Sequence, residues 1–528
     1  MNEQEIQSYL NFLLELLQKI NTDSSREFIY PFLTENLDKL DQNLIIILEK
    51  WAKKTLQSCN LEESYNFAVY ISNFSDLIQE FPLGNIAANL EIAIIGYQIV
   101  LSIFTVDAFP EEWATIQNDL GRAYLYRIRG DKADNLEKAI TSFTEALKFC
   151  IYDTFSKDWA MIQNNLGNVY ANRIKGDKAD NLEKAITFYT EALKIYTYDT
   201  FPEEWAMTQN NLGNAYLVRI RGDKADNLEK AITCYSEALR VKNFEDFRED
   251  WANLHTNLGN AYLFRIRGDK ADNLEKAITY HTEALSIRNV NYFPHNWANI
   301  QNSLGNAYLF RIRGDKTDNL EKAIAFFTQA LKVRTFEDFP EDWAMIQNNL
   351  GKAYSERIRE NKAENSEKSC NYYQNALQGY ETAGDWLNAA EIALTLGKIY
   401  VDRGEWYKGL DYLEKSLTIH RQFEDLPSRA DTIYQIARTH HLIGNYEKAS
   451  IHYRDALRFY NHLKNLRGVA FCRASLGRIL LQTGFVKEAK TELEAAKMIF
   501  IDLKDSQEIT KINEVLNCIT QIEEKQAA

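Results

Sequence analysis

Asparagine recurs along this chain at positions where an unconstrained helix would avoid it. Asn118, Asn164, Asn210, Asn302 and Asn348 share a step of 46 residues or its multiple, with Thr256 as the exception. Asn168, Asn214, Asn260 and Asn306 form a second row four residues further on, with Arg122 and Lys352 at its ends. Asparagine lowers helix propensity, so two such rows need a reason. A carboxamide offers two donors and an acceptor. It can therefore grip the N–H and C=O of an extended peptide whatever that peptide's side chains. The position beside the rows varies, reading Tyr126, Asn172, Val218, Phe264, Phe310 and Glu356. A constant main-chain grip beside variable pockets suits a peptide groove, with Val218, Phe264 and Phe310 as its apolar centre. A second reading stays open: the same carboxamides could bond between neighbouring repeats and fix their pitch, or persist from recent duplication.

Other chemistry is sparse. The turns repeat Arg127-Ile128-Arg129-Gly130-Asp131-Lys132 and its copies. These could form an anion-binding ridge, or the arginines could pack on tyrosine and pair with local carboxylates. The chain carries 61 Lys+Arg against 75 Asp+Glu, a net charge of −14, which argues against nucleic acid and anionic lipid. His440, His441 and His452 are the one histidine cluster, and His440 occupies the frame of Tyr400, which favours packing over metal binding. The six cysteines show no CxxC spacing and read as small buried side chains in a reducing, cytoplasmic setting. No phosphate loop, HExxH or GxSxG is present, so neither catalysis nor a cofactor is expected. The N-terminal MNEQEIQ does not resemble a secretion signal. The apolar stretch from Ile86 to Phe104 carries Asn89, Glu91 and Gln98, so it is not expected to span a membrane.

The elements that must carry these side chains follow from the repeat. Trp113, Trp159, Trp205, Trp251, Trp297 and Trp343 keep the 46-residue step. So do the rows that begin at Gly121, Tyr124 and Phe109, the last including Phe155. Each unit reads as two helices. The first spans about 111 to 129, with Trp113, Gln117, Leu120, Tyr124 and Arg127 on one face and Gly130 as its stop. The second is expected to begin with an Asp134-x-x-Glu137 capping box, repeated at Asp180/Glu183, Asp226/Glu229, Asp272/Glu275 and Asp318/Glu321. The tryptophan and phenylalanine rows are expected in the core. Four regions result: a helical N-terminal region over 1–64, an array of 46-residue repeats over 65–381 whose first copy is degenerate, an array of 40-residue repeats over 382–504, and a capping helix over 505–528.

Leu120-Gly121, Tyr124, Ala139, Phe143 and Ala146 resemble the signature of the tetratricopeptide repeat. That family repeats every 34 residues or so. Here Gly121 and Ala139 stand 18 apart rather than 12, so the turn inside the repeat is six residues longer. The resemblance covers about 65–502 and implies an all-α superhelical solenoid of about ten helix pairs, with first helices lining a concave face. The longer form is similar to bacterial arrays that often precede a caspase-like CHAT protease domain, whose His and Cys this chain does not carry. The resemblance implies a protein or peptide partner, held by Asn rungs in the concave groove. An extended segment advancing about 3.3 Å per residue would meet helices about 8–10 Å apart at every third residue. The alternative is a regulatory or sensor module acting with a separately encoded effector such as that protease, docked by the N-terminal region. Partner identity and oligomeric state are not legible.

Overall fold

The computed structural model describes residues 1–150, 156–359 and 361–527. Phe155 lies outside the described residues. Every regular element among them is a helix. Contacts divide the chain into two units, Met1–Ile287 and Arg288–Ala528. The first holds α1 (Glu3–Thr22), α2 (Arg26–Glu35), α3 (Gln42–Leu56), α4 (Leu61–Glu80), α5 (Ile86–Leu101), α6 (Pro110–Tyr126), α7 (Lys132–Ala146), α8 (Ser156–Asn172), α9 (Lys178–Ala192), α10 (Pro202–Leu217), α11 (Lys224–Ala238), α12 (Arg248–Phe264) and α13 (Lys270–Ile287). The second holds α14 (Pro294–Leu309), α15 (Lys316–Ala330), α16 (Pro340–Glu356), α17 (Lys362–Ala383), α18 (Trp386–Asp402), α19 (Trp406–Gln422), α20 (Leu426–Ile443), α21 (Tyr446–His462), α22 (Leu466–Gln482), α23 (Val486–Asp502) and α24 (Ser506–Ala527). No helix among the described residues is long and apolar enough to cross a membrane.

In each unit consecutive helices pack as pairs, and each pair packs on the next, which makes a solenoid of helix pairs. From α4 to α23 there are ten pairs among the described residues. In the first unit α1 and α3 lie against α4 and α5, and in the second α24 closes on α23 through Ile512 and Ile519.

The pairs are close because glycine faces a ring inside each of them. A Cβ on Gly213 would stand 2.6 Å from the Tyr235 ring, and one on Gly121 would stand 2.7 Å from Phe143. Alanine at 114, 139 and 146 is likewise buried and keeps the backbones near one another. The 46-residue copies turn at Gly130 and its equivalents, where φ lies between +78° and +83° and a side chain would be strained.

Four expectations are corrected. The first helix of the clear copy ends at Tyr126, and Arg127 is its C-cap, because the arginine is drawn to a glutamate of the preceding pair. The second helix starts at Lys132, capped by Asp131, whose carboxylate accepts from the Asp134 N–H at 2.8 Å. Glu137 closes no capping box; it too is held by an arginine. The tryptophans are only partly interior: Trp205 is buried, whereas Trp113, Trp159, Trp251, Trp297 and Trp343 are half-buried. Trp113, Trp205, Trp251 and Trp343 meet Phe149, Tyr198, Phe244 and Phe336 edge-on. The phenylalanines at 109, 201, 247, 293 and 339 are N-caps, each half-buried. Cys150, Cys234, Cys370 and Cys472 are buried as expected, but Cys59 is half-buried and Cys518 exposed.

One ring slot in the first unit is filled by an imidazole. His281 stands where Phe143, Tyr189 and Tyr235 stand in other pairs; it is fully buried, and neither ring nitrogen has a hydrogen-bond partner. Burial disfavours the imidazolium and pushes its pKa down to about 4. The unfolded chain binds this proton near pH 6.5 and the folded chain does not. The stability tied to a neutral His281 is therefore complete above pH 6.5 and drains away as the pH falls towards 4, by about 3 kcal/mol in all. His281→Phe is predicted to remove that acid sensitivity. Urea midpoints of both chains at pH 7.5 and 4.5 check it; equal pH dependence would count against the assignment.

Candidate binding face

The first helices of the 46-residue repeats are fixed by one recurring ion pair. In the first unit Arg219, at the end of α10, donates through Nε and Nη2 to both carboxylate oxygens of Glu183 in α9, at 2.8 and 2.6 Å. Its Nη1 reaches Asn227 Oδ1 at 3.3 Å, and Asn227 Nδ2 donates to the Arg221 carbonyl at 2.9 Å. The guanidinium also lies over the Tyr216 ring. The same arrangement joins Arg127 to Glu91, Arg173 to Glu137 and Arg265 to Glu229. In the second unit it joins Arg357 to Glu321. The hydrogen bonds from arginine hold Glu137, Glu183 and Glu229 below the ordinary carboxylate range. An outer set pairs Lys175 with Asp134, Arg221 with Asp180 and Arg267 with Asp226. With these cations engaged, an anion-binding ridge is not what the turns present.

The carboxamide rows bond across repeats. Asn118 and Asn164 are buried, while Asn168 and Asn210 are half-buried and Asn214 is exposed. Asn118 Oδ1 accepts from Asn165 at 3.1 Å, Asn164 Oδ1 from the Thr208 hydroxyl at 3.3 Å, and Asn210 Oδ1 from Asn257 at 2.9 Å. Asn168 Oδ1 accepts twice, from the Tyr189 hydroxyl at 2.8 Å and from Asn211 at 3.1 Å. Asn214 Oδ1 accepts from the Tyr235 hydroxyl at 2.8 Å. In the second unit Asn302 Oδ1 accepts from Asn349 at 3.3 Å. Asn260, Asn302, Asn306 and Asn348 are half-buried. The ring slots beside Asn260 and Asn306 hold His281 and Phe327 in place of the tyrosines that meet Asn168 and Asn214.

The donors to these oxygens form a row that the sequence reading passed over: Asn165, Asn211, Asn257 and Asn349, one residue beyond the first row. The first copy has Asp119 there. Burial pushes its carboxyl up to about 7, helped by Asp76.

The open face of α8, α10 and α12 is uncharged along its middle. Met161, Asn168, Met207, Asn214, Asn253 and Asn260 line it, exposed or half-buried. At the C-terminal ends of these helices Val218 and Phe264 are 55% and 60% exposed. In the second unit Phe310 is exposed too, with Lys352 Nζ 4.4 Å from its ring centre. A cavity of about 600 Å³ opens between α10 and α12, lined by Met207, Asn210, Leu254 and the acidic side chains Glu203 and Asp250. Lys242, buried over the Phe247 ring, pairs with both of those acids at 3.5 and 3.0 Å. Another signal missed in the sequence is a row of exposed isoleucines two residues beyond the variable position: Ile128, Ile174, Ile220 and Ile266 in the first unit, Ile312 and Ile358 in the second.

Family models described as Tetratricopeptide repeat match residues 389–462 and 159–199. No curated protein matches the chain. Among solved structures, the chain is similar to the apo form of the quorum sensor NprR from B. thuringiensis, at 14% identity over 79% of this chain and 99% of that one, TM-score 0.46. It is similar to a Rap protein complexed with competence and sporulation factor, at 13% identity over 79% and 100%, TM-score 0.42. A STAND protein with a tetratricopeptide repeat sensor from Pyrococcus horikoshii is 14% identical over 86% and 69%, TM-score 0.42.

The Asn168–Tyr189 bond is testable by a double-mutant cycle. Asn168→Ala strips the buried Tyr189 hydroxyl of its acceptor and is predicted to cost about 1–3 kcal/mol. Adding Tyr189→Phe should return part of that loss in urea titrations. Strictly additive losses would show that the bond contributes nothing.

Proposed function

We propose that this chain, a tetratricopeptide repeat protein, is a non-enzymatic interaction scaffold that holds an extended segment of a partner protein along the first helices of its repeats. The observation that carries the reading is the pairing of an uncharged carboxamide and methionine band with the exposed apolar side chains of Val218 and Phe264. A band without charge can take up peptide backbone without desolvating an ion. The Oδ1 atoms of Asn168 and Asn210 already accept from the next repeat and that of Asn214 from Tyr235 in its own pair, which leaves the carboxamide N–H groups of these three residues as the donors for a partner's main-chain carbonyls. Each such bond contributes about 0.5–1.5 kcal/mol net. Val218 and Phe264 supply side-chain selection. Methionine at 161 and 207 adapts its shape to what it meets.

The test uses the full chain against a displayed library of random twelve-residue peptides. Recovered peptides should bind the double variant Val218→Asp, Phe264→Asp at least tenfold more weakly. Both side chains are exposed, so the melting curve should be unchanged. Undiminished binding by that variant, or a library that yields no binder, would refute the proposed groove.

A further inference from the structure

We propose that Glu391 and His420 bind a first-row divalent cation, zinc being the probe of choice, which fastens α18 to α19 while Asp425, at the start of α20, orients the imidazole. In the second unit His420 on α19 is fully buried, and neither of its ring nitrogens makes a hydrogen bond. Two carboxylates flank it from the neighbouring helices. Glu391 Oε1 of α18 stands 3.9 Å from Nε2, and Asp425 Oδ2, at the start of α20, stands 3.5 Å from Nδ1. One ligand atom from each of the three residues lies within 4.8 Å of the others.

Equivalent slots in the following repeats show what this one lacks. Forty residues on, Tyr460 replaces His420 and Asp431 replaces Glu391, and the tyrosine hydroxyl donates to the carboxylate at 2.5 Å. Forty residues further, Phe500 and Phe471 meet edge-on, with ring centres 5.2 Å apart. Both neighbours close the slot by direct contact, whereas His420 and Glu391 stand too far apart to do so. Zinc bonds to imidazole nitrogen and carboxylate oxygen are about 2.0–2.2 Å long. A metal placed between Nε2 and Glu391 therefore spans the 3.9 Å separation with a bent N–metal–O angle. Asp425 then takes the part of the carboxylate that receives the other ring N–H and fixes the tautomer. Its second oxygen is committed to the helix cap, accepting from the Ser428 N–H at 3.2 Å. Glu391 is half exposed, so water can reach the metal and complete its coordination. An imidazole ligand selects zinc-like cations over magnesium or calcium.

His440 and His452, stacked 5.7 Å apart in the next repeat, could also attract zinc, so the test compares chains that all retain them. Equilibrium dialysis of the full chain against zinc chloride should show one equivalent fewer bound by His420→Tyr and by Glu391→Gln than by the wild type. The tyrosine variant copies the residue found at Tyr380 and Tyr460, and the glutamine variant changes a half-exposed side chain, so both should fold. Asp425→Asn keeps a helix-capping residue, as Asn465 does, and should weaken binding about tenfold. Zinc should raise the thermal midpoint of the wild type by about 2–4 °C and leave that of His420→Tyr in place. Equal zinc stoichiometry in all the chains would overturn the site.

Discussion

A guanidinium laid flat against a carboxylate holds the 46-residue repeats together. Two parallel N–H···O bonds fix distance and angle at once, which a lysine could not do. Because Arg219 belongs to one pair and Glu183 to the pair before it, the bond sets the position of a whole first helix relative to its neighbour. The third arm of the guanidinium reaches Asn227, and that asparagine holds the turn carbonyl, so the long turn is part of the same network. Both partners are partly sheltered, and every oxygen of the carboxylate is used.

With the helices so fixed, the polar rows between them become a satisfied lattice rather than loose surface. The Asn118–Asn165 and Asn210–Asn257 bonds run between adjacent first helices at the spacing that the arginine clamps establish. Tyr189 and Tyr235 add hydroxyl donors from beneath. A buried carboxamide is tolerable only when partnered, so these bonds also determine which repeat can sit beside which. The two readings of the asparagine rows are therefore compatible: the oxygens serve the lattice, and the proposed binding draws on the amide nitrogens of the more open residues.

Much of this was legible because the copies are nearly identical. Glycine, tyrosine and tryptophan at one step reveal paired helices, and Gly121 opposite Phe143 is the contact that step implies. The capping box misled because Asp134 and Glu137 have the right spacing, yet the partner of Glu137 lies 36 residues downstream, where local pattern cannot see it. The Asn165 row escaped notice because it adjoins the first row, and only the packing of two helices separates an acceptor row from a donor row. The exposed isoleucines passed unremarked inside the turn segment that begins at Arg127, where the charged neighbours drew the reading. His420 carries no motif: its carboxylates come from two other helices, 29 residues before it and five after.

Near-identity has a further consequence for the clamps. Glu137, Glu183 and Glu229 sit in the same sequence setting, and so do Arg173, Arg219 and Arg265. Nothing in the local chemistry tells an arginine which glutamate to choose, so correct pairing rests on tether length. Doubling the tether raises the closure penalty by only about 0.6 kcal/mol. Mispairing by one copy is therefore discouraged weakly at first contact. Only the stranded helix pair it would leave exposed makes it untenable. Such an array is safest when its copies dock in the order of synthesis, each finding its mate before the next leaves the ribosome.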